Sequence, residues 1–162
     1  MKRTATILLI GCGELGSRHL QAIVKLPHIA RVIVVDPSAA MLARGKERVC
    51  EITDRNPAMT LEWSTTLTRE HAQGDLCVVA TRDEGRAELI RRVGDTFGYR
   101  TFLVEKLVTQ SVSDYQALLV WARSRDVRMW VNCKTRAYDV HRAIKGKLDP
   151  AEPIIFSRIA GN

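Results

Sequence analysis

No apolar run in the 162-residue sequence approaches the roughly 20 residues of a membrane-spanning helix, which argues against an integral membrane protein. The four cysteines, Cys12, Cys50, Cys77 and Cys133, form no Cys-x-x-Cys pair and stand at no zinc-site spacing. We therefore expect no metal. Cys77 and Cys133 lie inside apolar runs, so the expected state is free, mostly buried thiols in a reducing cytoplasm. There is no run of four basic residues and no aromatic-plus-basic cluster of the RNA-binding kind, although the net charge is +7. The basic residues are scattered along the chain and read as solvated helix faces plus a crevice that attracts anions, not as a nucleic-acid footprint. Repeats and low-complexity linkers are also missing. Lys2 and Arg3 precede an apolar stretch over residues 5–10, shorter than the about 7–15 residues of a normal secretory core, and we read it as a strand and not as a leader. What remains is 46% hydrophobic and 27% charged, the balance of a folded domain. A chain of this length buries about two-thirds of its unfolded surface, so it needs no staple.

The first sixty residues carry the clearest pattern. Residues 4–10 (TATILLI) are continuously apolar and rich in β-branched side chains, as in a strand covered on both faces. Gly11-Cys12-Gly13-Glu14-Leu15-Gly16 follows, then Leu20, Ile23 and Val24 at helical spacing, with Pro27 closing the helix. Residues 31–36 (RVIVVD) form a second buried strand ending in a carboxylate. Strand, glycine turn, helix, strand and acid make a dinucleotide-binding fingerprint. In it, Gly11 permits the tight turn, Gly13 lets a pyrophosphate approach the backbone, and Gly16 lets the helix pack on the strand. The helix N-terminus attracts the diphosphate. Asp36 stands 20 residues after Gly16, where an acid accepts hydrogen bonds from the adenosine ribose. Its charge favours NAD, while Ser38 and Arg44 leave NADP open. S-adenosylmethionine sites share part of this pattern, but there the loop runs Gly-x-Gly-x-Gly, and Leu15 holds the fifth position here.

Downstream, strands and helices alternate. Residues 42–49 continue a helix, and residues 60–63 are a short strand. Residues 75–80 (DLCVVA) are a fourth strand, and residues 84–93 a charged helix ending near Gly94. Residues 99–104 form a fifth strand ending at Glu105-Lys106. Ser113 is the expected cap of a helix through Arg123, with Tyr115, Leu118, Leu119 and Ala122 inward. Residues 127–133 are a sixth strand, 138–147 a helix and 154–159 a further strand. The expected class is α/β with a doubly wound parallel sheet.

These residues resemble the Gfo/Idh/MocA oxidoreductases over nearly the whole chain. The residues from Gly11 to His19 fit the family's GxGxxGxxH opening. Residues 75–81 (DLCVVAT) look like its fourth strand, Ala87-Glu88 the helix after it, Val104-Glu105-Lys106 its Glu-Lys-Pro signature, and Val131-Asn132 with Arg136 the end of its nucleotide domain. The resemblance implies an NAD(P)-binding Rossmann fold over residues 1–136 and a truncated start of a second α/β domain over residues 137–162. It implies an NAD(P)-dependent enzyme passing hydride between nicotinamide and a hydroxyl-bearing carbon of a sugar or polyol-like substrate. The residues Gly161-Asn162 are similar to a subgroup linked to surface-polysaccharide sugars. Lys106 is then the catalytic lysine, which agrees with its place after the carboxyl end of a central strand. Gly11, Gly13, Glu14, Leu15, Gly16, Asp36, Thr81 and Glu105 are the cofactor-side residues, with Thr81 toward the nicotinamide ribose.

The chain departs from the family pattern at Leu107, which replaces the signature's proline. Because a cis bond before a non-proline residue costs about 2.5–4 kcal/mol, a trans Lys106–Leu107 bond and a displaced amine are expected. Asp83 and Arg86 replace residues that are often Asn and His in the family. His19 is read as a helix-packing residue and His141 as a surface one. With the substrate domain cut short, the chain alone is expected to bind cofactor without turnover. The alternatives are a non-catalytic NAD(P)-sensing module and, further off, a methyltransferase. Strand 154–159 is also expected to support a homodimer.

Overall fold

Short runs of Ile, Val and Leu without polar interruption can only be satisfied where both faces of a strand are covered, and four such runs, flanked by two edge strands of mixed composition, build one sheet. The computed structural model describes residues 4–133 together with Tyr138, Asp139 and Ala143. The chain divides into two compact units, Met1–Asn132 and Cys133–Asn162. In the first, the strands are β1 (Ala5–Ile10), β2 (Ile29–Val35), β3 (Thr60–Ser64), β4 (Leu76–Val79), β5 (Thr101–Glu105) and β6 (Arg128–Asn132). The helices are α1 (Glu14–Ile23), α2 (Ala39–Cys50), α3 (Arg86–Phe97) and α4 (Val112–Ser124). The expected helix over 138–147 and strand over 154–159, with Arg136 and His141, lie outside the described residues apart from Tyr138, Asp139 and Ala143.

All strand pairs are parallel and the order is β3-β2-β1-β4-β5-β6. This is the doubly wound arrangement, in which the chain moves outward one way from β1 and then the other way from β4. The two faces alternate along each strand. Ile7 and Leu9 of β1 join Val32 and Val34 under Leu20 and Ile23 of α1 and Leu42 and Val49 of α2. Leu8 and Ile10 join Cys77, Val79 and Phe102 under Ile90, Val93 and Phe97 of α3 and Leu118 of α4. The reversal of strand order falls between β1 and β4, and it opens a crevice at their carboxyl ends.

Several boundaries differ from the sequence reading. α3 does not end at Gly94. That glycine lies against the Trp121 indole, where a Cβ would come within 2.6 Å of the ring. The helix runs on to Phe97 and stops at Gly98, whose φ of +77° suits the absent side chain. α4 is capped by Ser111, not Ser113, because the Ser111 hydroxyl accepts from the Asp114 amide at 3.2 Å. Tyr115 falls on the solvent side of α4, while Leu118 and Ala122 are buried. None of the four cysteines is in a disulfide, and only Cys12 and Cys77 are buried. Cys50, at the end of α2, is exposed.

Candidate functional site

The turn out of β1 is held by backbone contacts that admit only glycine at two places. Gly11 has φ +90°, and a Cβ there would lie 2.8 Å from the Ala80 carbonyl. A Cβ on Gly16 would lie 1.8 Å from the Gly11 carbonyl oxygen, so α1 starts directly against the turn. Gly13 is different: no protein atom lies within 4 Å of where its Cβ would be. It is the N-cap of α1 and offers no side-chain hydrogen bond to the first turn. The first amides of a helix have no intrahelical acceptor, so those of α1 are presented to the open space beside Gly13.

Asp36 follows β2 and is 8% exposed. Its Oδ2 accepts from the Cys12 amide at 2.7 Å and its Oδ1 from the Ser38 amide at 2.8 Å. The carboxylate thus ties the glycine turn to the start of α2, and Ser38 caps that helix. Burial and then the nearby Asp36 charge push the Cys12 thiol up to about 11, so it stays protonated and is not a nucleophile.

An open cleft of about 1030 Å³ runs across the carboxyl ends of the strands. Gly11, Gly13, Glu14, Leu15 and Asp36 line one end, Thr81 and Arg86 the middle, and Lys106 and Leu107 the other end. It is large enough for an extended dinucleotide, since sites for drug-sized molecules hold about 300–1,000 Å³. Gly16 is buried behind this wall and Glu105 beneath it. The Lys106–Leu107 peptide is cis. The expectation of a trans bond at Leu107 is therefore corrected, and Lys106 borders the cleft.

The floor under Lys106 joins Glu105, expected on the cofactor side, to His19 and Arg86, which the sequence reading did not assign to the site. Glu105 is 5% exposed. His19 Nε2 lies 2.7 Å from Glu105 Oε1, and the Asn132 amide nitrogen donates to the same oxygen. His19 is therefore no simple packing residue: it links α1 to the end of β5. Burial raises the Glu105 carboxyl, but the bonds from Asn132 and His19 outweigh it and hold the group below its ordinary value. The pairing of Glu105 with Asn132 follows from the β5–β6 register, in which the two are partners. Arg86, 3% exposed, donates to the backbone carbonyls of Thr81, Glu105 and Leu107. It joins the ends of β4 and β5, and burial lowers the pKa of its guanidinium.

Glu14 is the other surprise. Its carboxylate receives Arg44 at 2.6 Å and Arg48 at 2.7 Å, with Arg18 at 3.9 Å. The Arg48 hydrogen bond, with the charges of Arg44, Arg48 and Arg18, holds its carboxyl below the ordinary value despite the opposing effect of desolvation.

The same fold occurs in solved structures. The WlbA dehydrogenase from Bordetella pertussis, in complex with NADH and UDP-GlcNAcA, matches with a TM-score of 0.72 and 18% identity, over 89% of this chain and 41% of that one. This chain has a Rossmann fold. The myo-inositol 2-dehydrogenase from Lactobacillus plantarum matches with a TM-score of 0.71 and 16% identity, over 89% of this chain and 40% of that one. A 3-ketoreductase from Actinomadura kijaniata, in complex with NADP, gives 0.69 and 18%, over 89% and 42%. The chain spans about two-fifths of the length of these proteins. No protein-family model matches the sequence, and no curated protein is significantly similar to it. Among the described residues no helix is long and apolar enough to cross a membrane, and no group of metal-ligating side chains comes together.

Proposed function

We propose that this chain is the nucleotide-binding portion of an NAD(P)-dependent oxidoreductase of the Gfo/Idh/MocA type, acting on a hydroxyl-bearing carbon of a sugar or polyol-like substrate. The observation that carries the reading is the uncapped start of α1 facing the empty position beside Gly13, with the Asp36 carboxylate at the neighbouring strand end. An anion fits the first feature and a ribose diol the second. The solved structures that share the fold include sugar-nucleotide and inositol dehydrogenases, which supports the substrate class.

In this reading the amides of Gly13, Glu14 and Leu15 bind the diphosphate, and Asp36 accepts from the adenosine ribose hydroxyls. Thr81 faces the second ribose. When bound, the nicotinamide supplies the hydride acceptor or donor. Lys106 donates a hydrogen bond to the substrate oxygen and holds the proton exchanged there. Glu105, Asn132 and His19 fix the backbone from which Lys106 extends. In this reading residues 1–136 are the dinucleotide unit, and hydride transfer needs a substrate-binding wall as well as the cleft described above.

Calorimetric titration with NADH, NADPH and S-adenosylmethionine tests the proposal. NADH binding supports it. Binding of S-adenosylmethionine alone would assign the cleft to methyl transfer. The second reading, a cofactor-sensing module without chemistry, is favoured by the exposed Leu107 in place of the signature proline. Substituting Lys106→Ala in a protein that carries the substrate wall separates the two: lost turnover with retained NADH affinity supports the enzyme, and unchanged behaviour supports the sensor.

A further inference from the structure

Three cations rise from α2, and each is engaged differently. Lys46 stands over the Trp63 ring, its Nζ 5.4 Å from the centroid. Arg48 is buried, and besides the Glu14 carboxylate it donates to the Glu14 carbonyl and the Ser17 hydroxyl. Arg44 is 45% exposed, and its guanidinium ends on Glu14 Oε2 at 2.6 Å. It lies one helical turn beyond Met41, which lines the cleft near Asp36, Pro37 and Ser38.

This is the end of the cleft where the adenosine ribose would sit, and the two dinucleotides differ there by a single 2′-phosphate. A phosphate beside the Asp36 carboxylate needs a cation to offset the repulsion. Arg44 is the cation nearest in sequence to Met41 on that helix and carries a long stem with a planar donor fork suited to a phosphate, but Glu14 already holds it. Glu14 lies in the glycine turn itself, at a position where the backbone suffices for the diphosphate and no carboxylate is required.

We propose that Glu14 sets the cofactor choice by holding Arg44 away from the 2′ position, so that the cleft takes NADH and disfavours NADPH. The inference rests on the dinucleotide reading above and deepens it: the preference resides in an acid and base pair outside the ribose-binding carboxylate. Neutralising Glu14 frees Arg44 for the phosphate, whereas removing Arg44 as well takes away the cation that would meet it.

The test is the ratio of NADPH to NADH dissociation constants, measured by calorimetry for the wild type, Glu14→Gln, and Glu14→Gln with Arg44→Ala. The ion pair is exposed and its loss modest, so the ratio in Glu14→Gln is expected to fall about fivefold. The double variant is expected to return to the wild-type ratio. A ratio unmoved in Glu14→Gln would overturn the proposal. So would a fall that survives the loss of Arg44, because the charge of Glu14 would then act without it. If Glu14→Gln loses NADH binding that the wild type has, Glu14 touches the cofactor directly and the proposal fails. If the wild type binds neither dinucleotide, the cofactor reading itself fails and this inference falls with it.

Discussion

The two ends of the cleft are built differently. At the β1–β2 end, most of what shapes the site lies between residues 5 and 38, with Met41 beside it and Ala80 behind the turn, and the contacts are mostly backbone: the Gly11 turn, the start of α1, and the Asp36 bonds to the Cys12 and Ser38 amides. At the β4–β5 end, the site is held by buried side chains from distant segments. His19 reaches Glu105 across 86 positions, and Arg86 reaches the carbonyls of Glu105 and Leu107. A backbone site tolerates few residue types but needs few of them. A side-chain site depends on charges whose desolvation is repaid only while every partner is in place.

That contrast can be broken by substitution. The largest effect is expected from Gly16→Ala, which would set a Cβ 1.8 Å from the Gly11 carbonyl oxygen. Backbone cannot yield there without moving α1, so a loss of about 3 kcal/mol or more should appear in urea unfolding. An unchanged midpoint would show that the turn and helix are not locked together. Next comes Glu105→Ala, which strips a buried carboxylate from His19 and Asn132 and should lower stability by about 2–4 kcal/mol. A loss below about 0.5 kcal/mol would reduce the network to decoration.

Gly13→Ala should separate folding from binding. The added methyl meets no protein atom within 4 Å, so stability should stay within about 0.5 kcal/mol of the wild type. NADH affinity should nevertheless fall at least about tenfold, because the methyl occupies the approach to the diphosphate. Unaltered affinity would place the diphosphate elsewhere.

The smallest effect is the acid limb of stability. The Glu105 carboxyl titrates lower in the folded chain than its unfolded value of about 4.3. Its contribution is therefore complete above that value and is lost as the pH falls through the folded one, since the unfolded state binds the proton more readily. Chemical denaturation between about pH 5 and 3 should show a shallower fall for Glu105→Gln than for the wild type. Parallel curves would mean that Glu105 is not held as a carboxylate.

The same contrast explains what could be read from the amino acids alone. The β1–β2 end is local, so the spacing of Gly11, Gly13, Gly16 and Asp36 is enough to place it. The doubly wound parallel α/β class follows from continuous apolar runs that alternate with amphipathic helices. The partnership of His19 with Glu105 and Asn132 depends on the β5–β6 register and on where α1 crosses the sheet, neither of which has a local signature. Arg86 stands out in the sequence only as a departure from the pattern the chain resembles, and its joining of two strand ends appears only in the fold. Glu14 was legible as a position in the glycine turn, but its hold on Arg44 and Arg48 needs α1 and α2 side by side. Gly94 misled because a glycine late in a charged helix resembles a stop, whereas here it makes room for Trp121.

The most direct measurement is a titration of the isotopically labelled chain with NADH, followed residue by residue through its backbone amide resonances. The account predicts saturable shifts at Gly13, Glu14 and Leu15, with Ser38 moving in step, because those groups border the diphosphate and the adenosine ribose. Resonances that stay still there at millimolar NADH, or that shift only around the separate hollow formed by Val24, Asn56 and Met59, would contradict it.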